Sequence, residues 1–191
     1  MIDIEIILSL LVGLVIIATV VMYNKIISGM NRSKRAWSDV ITYEKLKIDL
    51  LPQLSTITDD FKDFESGFIE KVTTLREAIS TLDNNKIDHK ALSKAEELSS
   101  NVVTSIKATA ENYPELGSTK LFQELMSQIA DKSENVTAAI TIYNRGVEQF
   151  NNSIEMIPLN FVNFVFARKN KLDTFVQSGT VESYDYKPNF T

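Results

Sequence analysis

FQELMSQIADKSENVTAAITIYNRGVEQFNNSIEMI (Phe122–Ile157) carries the clearest periodicity in this 191-residue chain. Its apolar positions are Phe122, Met126, Ile129, Val136, Ile140, Tyr143, Val147, Phe150, Ile154 and Ile157, with Ser133 the one polar member of the series. They recur at alternating steps of four and three, the period of a helix that buries one seam, as in a coiled coil. Ser118 or Thr119 can cap its start, and Pro158 marks its end. At 1.5 Å per residue the helix would be about 60 Å long.

A second seam, nearer the N-terminus, runs through Val40, Tyr43, Lys47, Leu50, Leu54, Ile57, Phe61, Phe64 and Phe68. It then shifts phase at Gly67 and resumes at Val72, Leu75, Ile79 and Leu82. One continuous helix with a stutter is the favoured reading, and two helices turning near 62–67 is the alternative. Pro52 cannot donate to the carbonyl of Ile48, so a kink or break is expected there. Asp83-Asn84-Asn85-Lys86 reads as a loop. Leu92, Ala95, Ser99, Val102, Ile106 and Ala110 give a third helix, broken at Tyr113-Pro114-Glu115-Leu116-Gly117. Past Pro158, Leu159–Phe166 is strongly apolar and is followed by Arg168, Lys169 and Lys171. It reads as a short amphipathic helix, either a lid over the end of a bundle or a second membrane contact with its cations at the headgroups. No strand pattern is present. The fold class is all-α, and seamed helices bury their stripes most simply in an antiparallel four-helix bundle with long helices.

Ahead of these helices stands IILSLLVGLVIIATVVM (Ile6–Met22), uncharged and interrupted only by Ser9, Gly13 and Thr19. With Ile4 and Tyr23 at its edges it has the roughly 20 residues a helix needs to cross the hydrocarbon. A cleaved leader would begin with basic residues and end on small ones. Here Asp3 and Glu5 precede the run, and Met22-Tyr23-Asn24 follows it, so an uncleaved transmembrane helix over 4–23 is expected. Lys25, Arg32, Lys34 and Arg35 come next, with no acid before Asp39. Cations flanking a span stay on the cytoplasmic side. That predicts a single-pass protein of the cell membrane, its N-terminus outside and its C-terminal domain cytoplasmic. Ser9 and Gly13 are spaced as in motifs that let two spans pack into a homo-oligomer, although such pairs are common in apolar 20-mers.

The charge balance, 20 Lys and Arg against 25 Asp and Glu, argues against nucleic acid as a partner, since phosphate binding wants a basic face. Cysteine is absent, which excludes disulfides, thiolate metal sites and thiol nucleophiles. The one histidine, His89, reads as a solvated first-turn residue and cannot build the Glu-x-x-His pairs of a di-metal bundle. No Gly-rich phosphate loop or H-E-x-x-H occurs. No catalytic, cofactor-binding or metal residue is therefore assigned, and no cofactor is expected. Asp59-Asp60 and Glu96-Glu97 read as solvated faces, and the sequons at Asn31, Asn135 and Asn151 as chance matches. Lys47 and Ser133 interrupt apolar seams as register devices do, Lys47 by snorkelling. Asn144 and Asn151 sit beside a seam, placed either to bond backbone freed at Pro52 or at helix ends, or as plain flank positions.

An ordered set of short elements resembles the LemA family. It runs from Tyr23-Asn24 through Ala36-Trp37-Ser38, Leu46-Lys47 and Asp49-Leu50-Leu51-Pro52-Gln53-Leu54. It continues through Phe64-Glu65, Val72-Thr73, Arg76, Glu111–Leu116 and Phe122-Gln123-Glu124-Leu125. Glu134-Asn135, Tyr143-Asn144, Val147, Phe150-Asn151 and Ile157-Pro158 complete it. Ile48 after Lys47, Ala139-Ile140-Thr141-Ile142 and Val165-Phe166 depart from the family pattern, as in a diverged member. The resemblance implies a bacterial, membrane-anchored, mostly cytoplasmic helical bundle; it does not imply a reaction. Together with the apolar run, it divides the chain into a short segment 1–3, the span 4–23, a LemA-like bundle over 24–175 and a flexible tail 176–191.

The expected function is that of a non-enzymatic scaffold or membrane-organising factor. Its partners would be the bilayer through residues 4–23 and other membrane or cytoplasmic proteins. The alternative is a tethered sensor or regulator that binds a small ligand, or that serves a membrane protease or stress system. A ligand would need a cavity with convergent polar groups, for which Lys47, Ser133 and Tyr143 are the candidates.

Overall fold

The computed structural model describes residues 4–53, 62–84 and 86–177, and every described element is helix or turn. In order these are α1 (Ile4–Ile48), α2 (Lys62–Ser80), α3 (His89–Asn112), α4 (Pro114–Ser118), α5 (Lys120–Glu155), α6 (Leu159–Val162) and a single π-helical turn, Asn163–Ala167. Two compact units divide the chain. The first comprises Met1–Ala36 and Ile142–Thr174, the second Trp37–Thr141 and Phe175–Thr191.

In the first unit, α1 and α5 run antiparallel and come close at two glycines. Gly29 faces the Phe150 ring, where an added Cβ would lie 3.5 Å from Cδ2. One turn along, Gly146 faces Ser33, where an added Cβ would lie 3.4 Å from Oγ. Ser33 is fully buried there because its hydroxyl is satisfied within α1, donating to the Gly29 carbonyl at 3.3 Å. Ile26, Phe150, Ile154, Val162 and Ala167 form the core, with Met22, Met30, Leu159 and Leu172 packed against it.

In the second unit, the α5 seam is buried at Phe122, Ile129, Val136 and Ile140, and half-buried at Met126 and Ser133. Thr119 caps the helix, its Oγ1 accepting from the Phe122 amide at 3.3 Å. The α3 seam is buried at Leu92, Ala95, Ser99, Val102 and Ile106. Asp88 caps α3, accepting from the Ala91 amide at 3.0 Å. Val72, Leu75, Ile79 and Leu82 are buried along α2 and the turn after it, as their spacing requires. α2 and α3 form an antiparallel pair, bridged where Lys71 Nζ donates to Ser105 Oγ at 2.6 Å. The Trp37 indole, fully buried, donates from Nε1 to the Lys86 carbonyl at 3.0 Å and so closes the α2–α3 loop.

Four sequence expectations are corrected. A continuous helix from Val40 to Leu82 does not form, because α1 ends at Ile48 and the chain turns through 49–52. Bonds from Leu50 N to Lys47 O and from Leu51 N to Ile48 O tighten the exit. Pro52, which has no N–H to continue a helix, follows at once. Gly67 lies inside an unbroken α2, so no turn falls at 62–67. The seam positions Leu54, Ile57 and Phe61 lie outside the described residues, as does the expected tail from residue 178. Second, Tyr43 faces outward and Glu44 takes its place in the core. Third, Ile157 is 84% exposed, because α5 ends at Glu155 and the next residues leave the helical phase. Fourth, His89 is half-buried rather than solvated, its ring between Trp37 (5.4 Å) and Phe175 (5.6 Å).

Candidate functional site

In the second unit, Glu44 and Lys47 occupy successive turns of the buried face of α1. Glu44 is 0% exposed and Lys47 7%. Lys47 Nζ donates to Glu44 Oε1 at 2.9 Å, so the lysine is a buried ion-pair partner and does not snorkel. Burying both charges costs several kcal/mol per ion, recovered only through close pairing. Glu44 Oε2 has no partner among the described residues.

Beside this pair lies a polar cavity of about 420 Å³. Its lining includes Lys47, Glu96, Ser99, Lys107, Ser133 and Gln177. Gln177 Nε2 donates to Glu96 Oε1 at 3.0 Å, while Glu96 Oε2 is buried and unpaired among the described residues. Burial raises the Glu96 pKa above its ordinary 4.5. The Gln177 hydrogen bond opposes that rise, the Glu44 charge adds to it, and the Lys47 charge opposes it. The arrangement offers a cation and an underpaired carboxylate to a small polar ligand. No group of three or more His, Cys, Asp or Glu able to hold a metal ion occurs among the described residues.

Of the three candidate ligand residues, Lys47 and Ser133 line this cavity. Tyr143 belongs to the first unit, where its hydroxyl donates to the Asp173 carbonyl at 3.0 Å and its pKa is raised by burial. Gln177 was not singled out by sequence, and Glu96, expected with Glu97 to lie on a solvated face, is instead half-buried on the cavity wall while Glu97 is exposed. Glu96 lies four residues after Leu92 on the edge of the α3 seam, which is the signal that separates it from exposed Glu97.

The first unit holds the apolar features. Among the described residues one helix, α1, is long and apolar enough to cross a membrane, and no part of its apolar window is buried. Leu159, Val162 and Ala167 pack inward on the α1–α5 core. Phe161, Phe164, Val165 and Phe166 face outward. Phe166 shares an apolar groove with Val15, Ile16, Thr19, Val20 and Tyr23 of α1. The chain returns along α5, held by Asn151. Its Nδ2 donates to the Leu172 carbonyl at 2.8 Å and its Oδ1 accepts from the Leu172 amide at 2.9 Å. Asn151 therefore bonds backbone, as one reading of its flank position predicts, but in the return segment and not at Pro52.

A family model described as the LemA family matches residues 36–183, a stretch that contains the Glu44–Lys47 pair and every cavity residue named above. Protein LemA of Metamycoplasma hominis is 24% identical over 131 residues. That match takes in 69% of this chain and 58% of the relative, so the chain spans less than two thirds of the curated relative's length. The family match extends over most of the chain and agrees with the ordered motifs and the all-α structure: the chain belongs to the LemA family.

Proposed function

We propose that this chain is a membrane-anchored, non-enzymatic scaffold. Residues 4–23 are read as a single transmembrane pass with the N-terminus outside. The rest is read as a cytoplasmic antiparallel helical bundle that engages other membrane or cytoplasmic proteins. The observation that carries this reading is the wholly unburied apolar window of α1. Apolar surface on that scale is not left in water. The exposed cations Lys25, Arg32, Lys34 and Arg35 directly after it support the orientation. The family is not known for catalysis, and Glu96 and Tyr143, whose pKa values are displaced, belong to different units. Cross-linking and affinity capture of the full chain from its native membrane tests the scaffold. Defined protein partners are expected. Capture of no protein contradicts it.

A second reading, ligand sensing, is favoured by the cavity at Lys47 and Ser133 with the unpaired Glu96 oxygen on its wall. A thermal-shift screen of small organic amines would support it through a rise in melting temperature that Glu96→Gln abolishes. No response from any amine would remove it.

A further inference from the structure

The geometry points to a second membrane contact: the Leu159–Ala167 segment enters the lipid leaflet that holds the C-terminal half of the anchor. This rests on residues 4–23 spanning the bilayer. The groove shared with Phe166 is walled by Val15, Ile16, Val20 and Tyr23. Eight residues separate Val15 from Tyr23, a rise of about 12 Å. In a span of about 30 Å that places the groove, and the Phe166 ring with it, at hydrocarbon depth. Phe164, 81% exposed, and Phe161 lie on the same short segment.

Several backbone polar groups of the segment are satisfied internally, as hydrocarbon requires. The Asn160 amide donates to the Met156 carbonyl at 2.9 Å, and the Asn163 amide to the carbonyls of Leu159 and Asn160. The Arg168 amide donates to the Asn163 carbonyl at 2.6 Å. The chain then reverses at Arg168, whose φ of 48° is left-handed. The Asn163 carboxamide holds that reversal, accepting from the Lys169 amide at 2.9 Å and donating to the Lys169 carbonyl at 3.0 Å. Arg168 and Lys169, neither in an ion pair among the described residues, stand where headgroup phosphates would meet them, while Lys171 pairs with Glu155. A bilayer fits this surface better than a protein, because one wall of the groove is the anchor itself.

The chain contains no cysteine, so single nitroxide labels can be placed on the full-length protein. Leu14→Cys, Phe164→Cys and Ile142→Cys are exposed positions, all in the first unit. In vesicles of phosphatidylcholine with phosphatidylglycerol, power-saturation EPR compares access by oxygen, which concentrates in lipid, with access by a water-soluble nickel chelate. Labels at 14 and 164 are expected to favour oxygen, and the label at 142 the nickel chelate. A label at 164 that behaves like that at 142, while 14 favours oxygen, overturns the second contact and leaves the anchor standing. A label at 14 that favours nickel overturns both. Spin–spin broadening at 164 that disappears on dilution with unlabelled protein shows a second copy in place of lipid and also overturns the inference.

Discussion

The carboxylate of Glu44 and the ammonium of Lys47, three residues apart on α1, meet at 2.9 Å with both side chains withdrawn from water. Removing one partner strands the other. Glu44→Ala is expected to lower unfolding free energy by about 3–5 kcal/mol. Glu44→Leu combined with Lys47→Met removes both charges and should cost less than Glu44→Ala alone. Urea denaturation of the three proteins measures the difference, and a double variant no better than the single one would show the pair to be net stabilising.

Glu96 gives a pH dependence of defined sign. Its folded pKa lies above 4.5, so the protonated form is the one the fold favours. The stability it contributes is fully present below the unfolded pKa and is lost as pH rises through the raised folded value. Glu96→Gln cannot titrate. The melting temperature of the parent relative to that of Glu96→Gln should therefore be highest in acid and fall toward neutral pH. A relative melting temperature that rises over that range would reverse the assignment.

Asn151 donates to and accepts from the backbone of Leu172, 21 residues away. Asn151→Ala leaves a half-buried amide and carbonyl unpaired and should cost about 1–3 kcal/mol. Hydrogen exchange should show faster exchange at the Leu172 amide in that variant. Unchanged protection would mean that other contacts hold the return segment.

Gly67 sits inside α2, exposed, with nothing within 4 Å of an added Cβ. Gly67→Ala should stabilise the protein by about 0.5–1 kcal/mol through reduced chain entropy alone. Thermal unfolding checks it, and a loss of stability would show that the glycine meets a requirement beyond the helix.

Helices were legible where apolar side chains repeat without competition. The α5 seam from Phe122 to Ile154 and the α3 seam from Leu92 to Ile106 are inward as spaced. Around Val40 the pattern allowed two answers, since both 43 and 44 lie one turn on. Hydropathy favours Tyr43, but the fold buries Glu44, and only the paired charge of Lys47 one turn later makes that tolerable. The exit at Ile48 was legible in Pro52, which cannot donate to the Ile48 carbonyl, whereas the apolar spacing that persists past Pro52 favoured a continuous helix that does not form. The cavity was half legible. Lys47 and Ser133 stand out as polar breaks in apolar seams, whereas Gln177 reaches Glu96 across 81 residues, a separation that no local pattern encodes. His89 likewise reads as solvated until Trp37 and Phe175 close on it from distant parts of the chain.

The proposed anchoring requires that residues 4–23 stay in the mature protein as a lipid-spanning helix. Membranes from cells producing the full chain can be washed with alkaline carbonate, and the protein recovered and weighed by intact mass spectrometry. The protein is expected to remain in the pellet at full length. Release into the wash, or a recovered chain lacking its first two dozen residues, would contradict the anchoring.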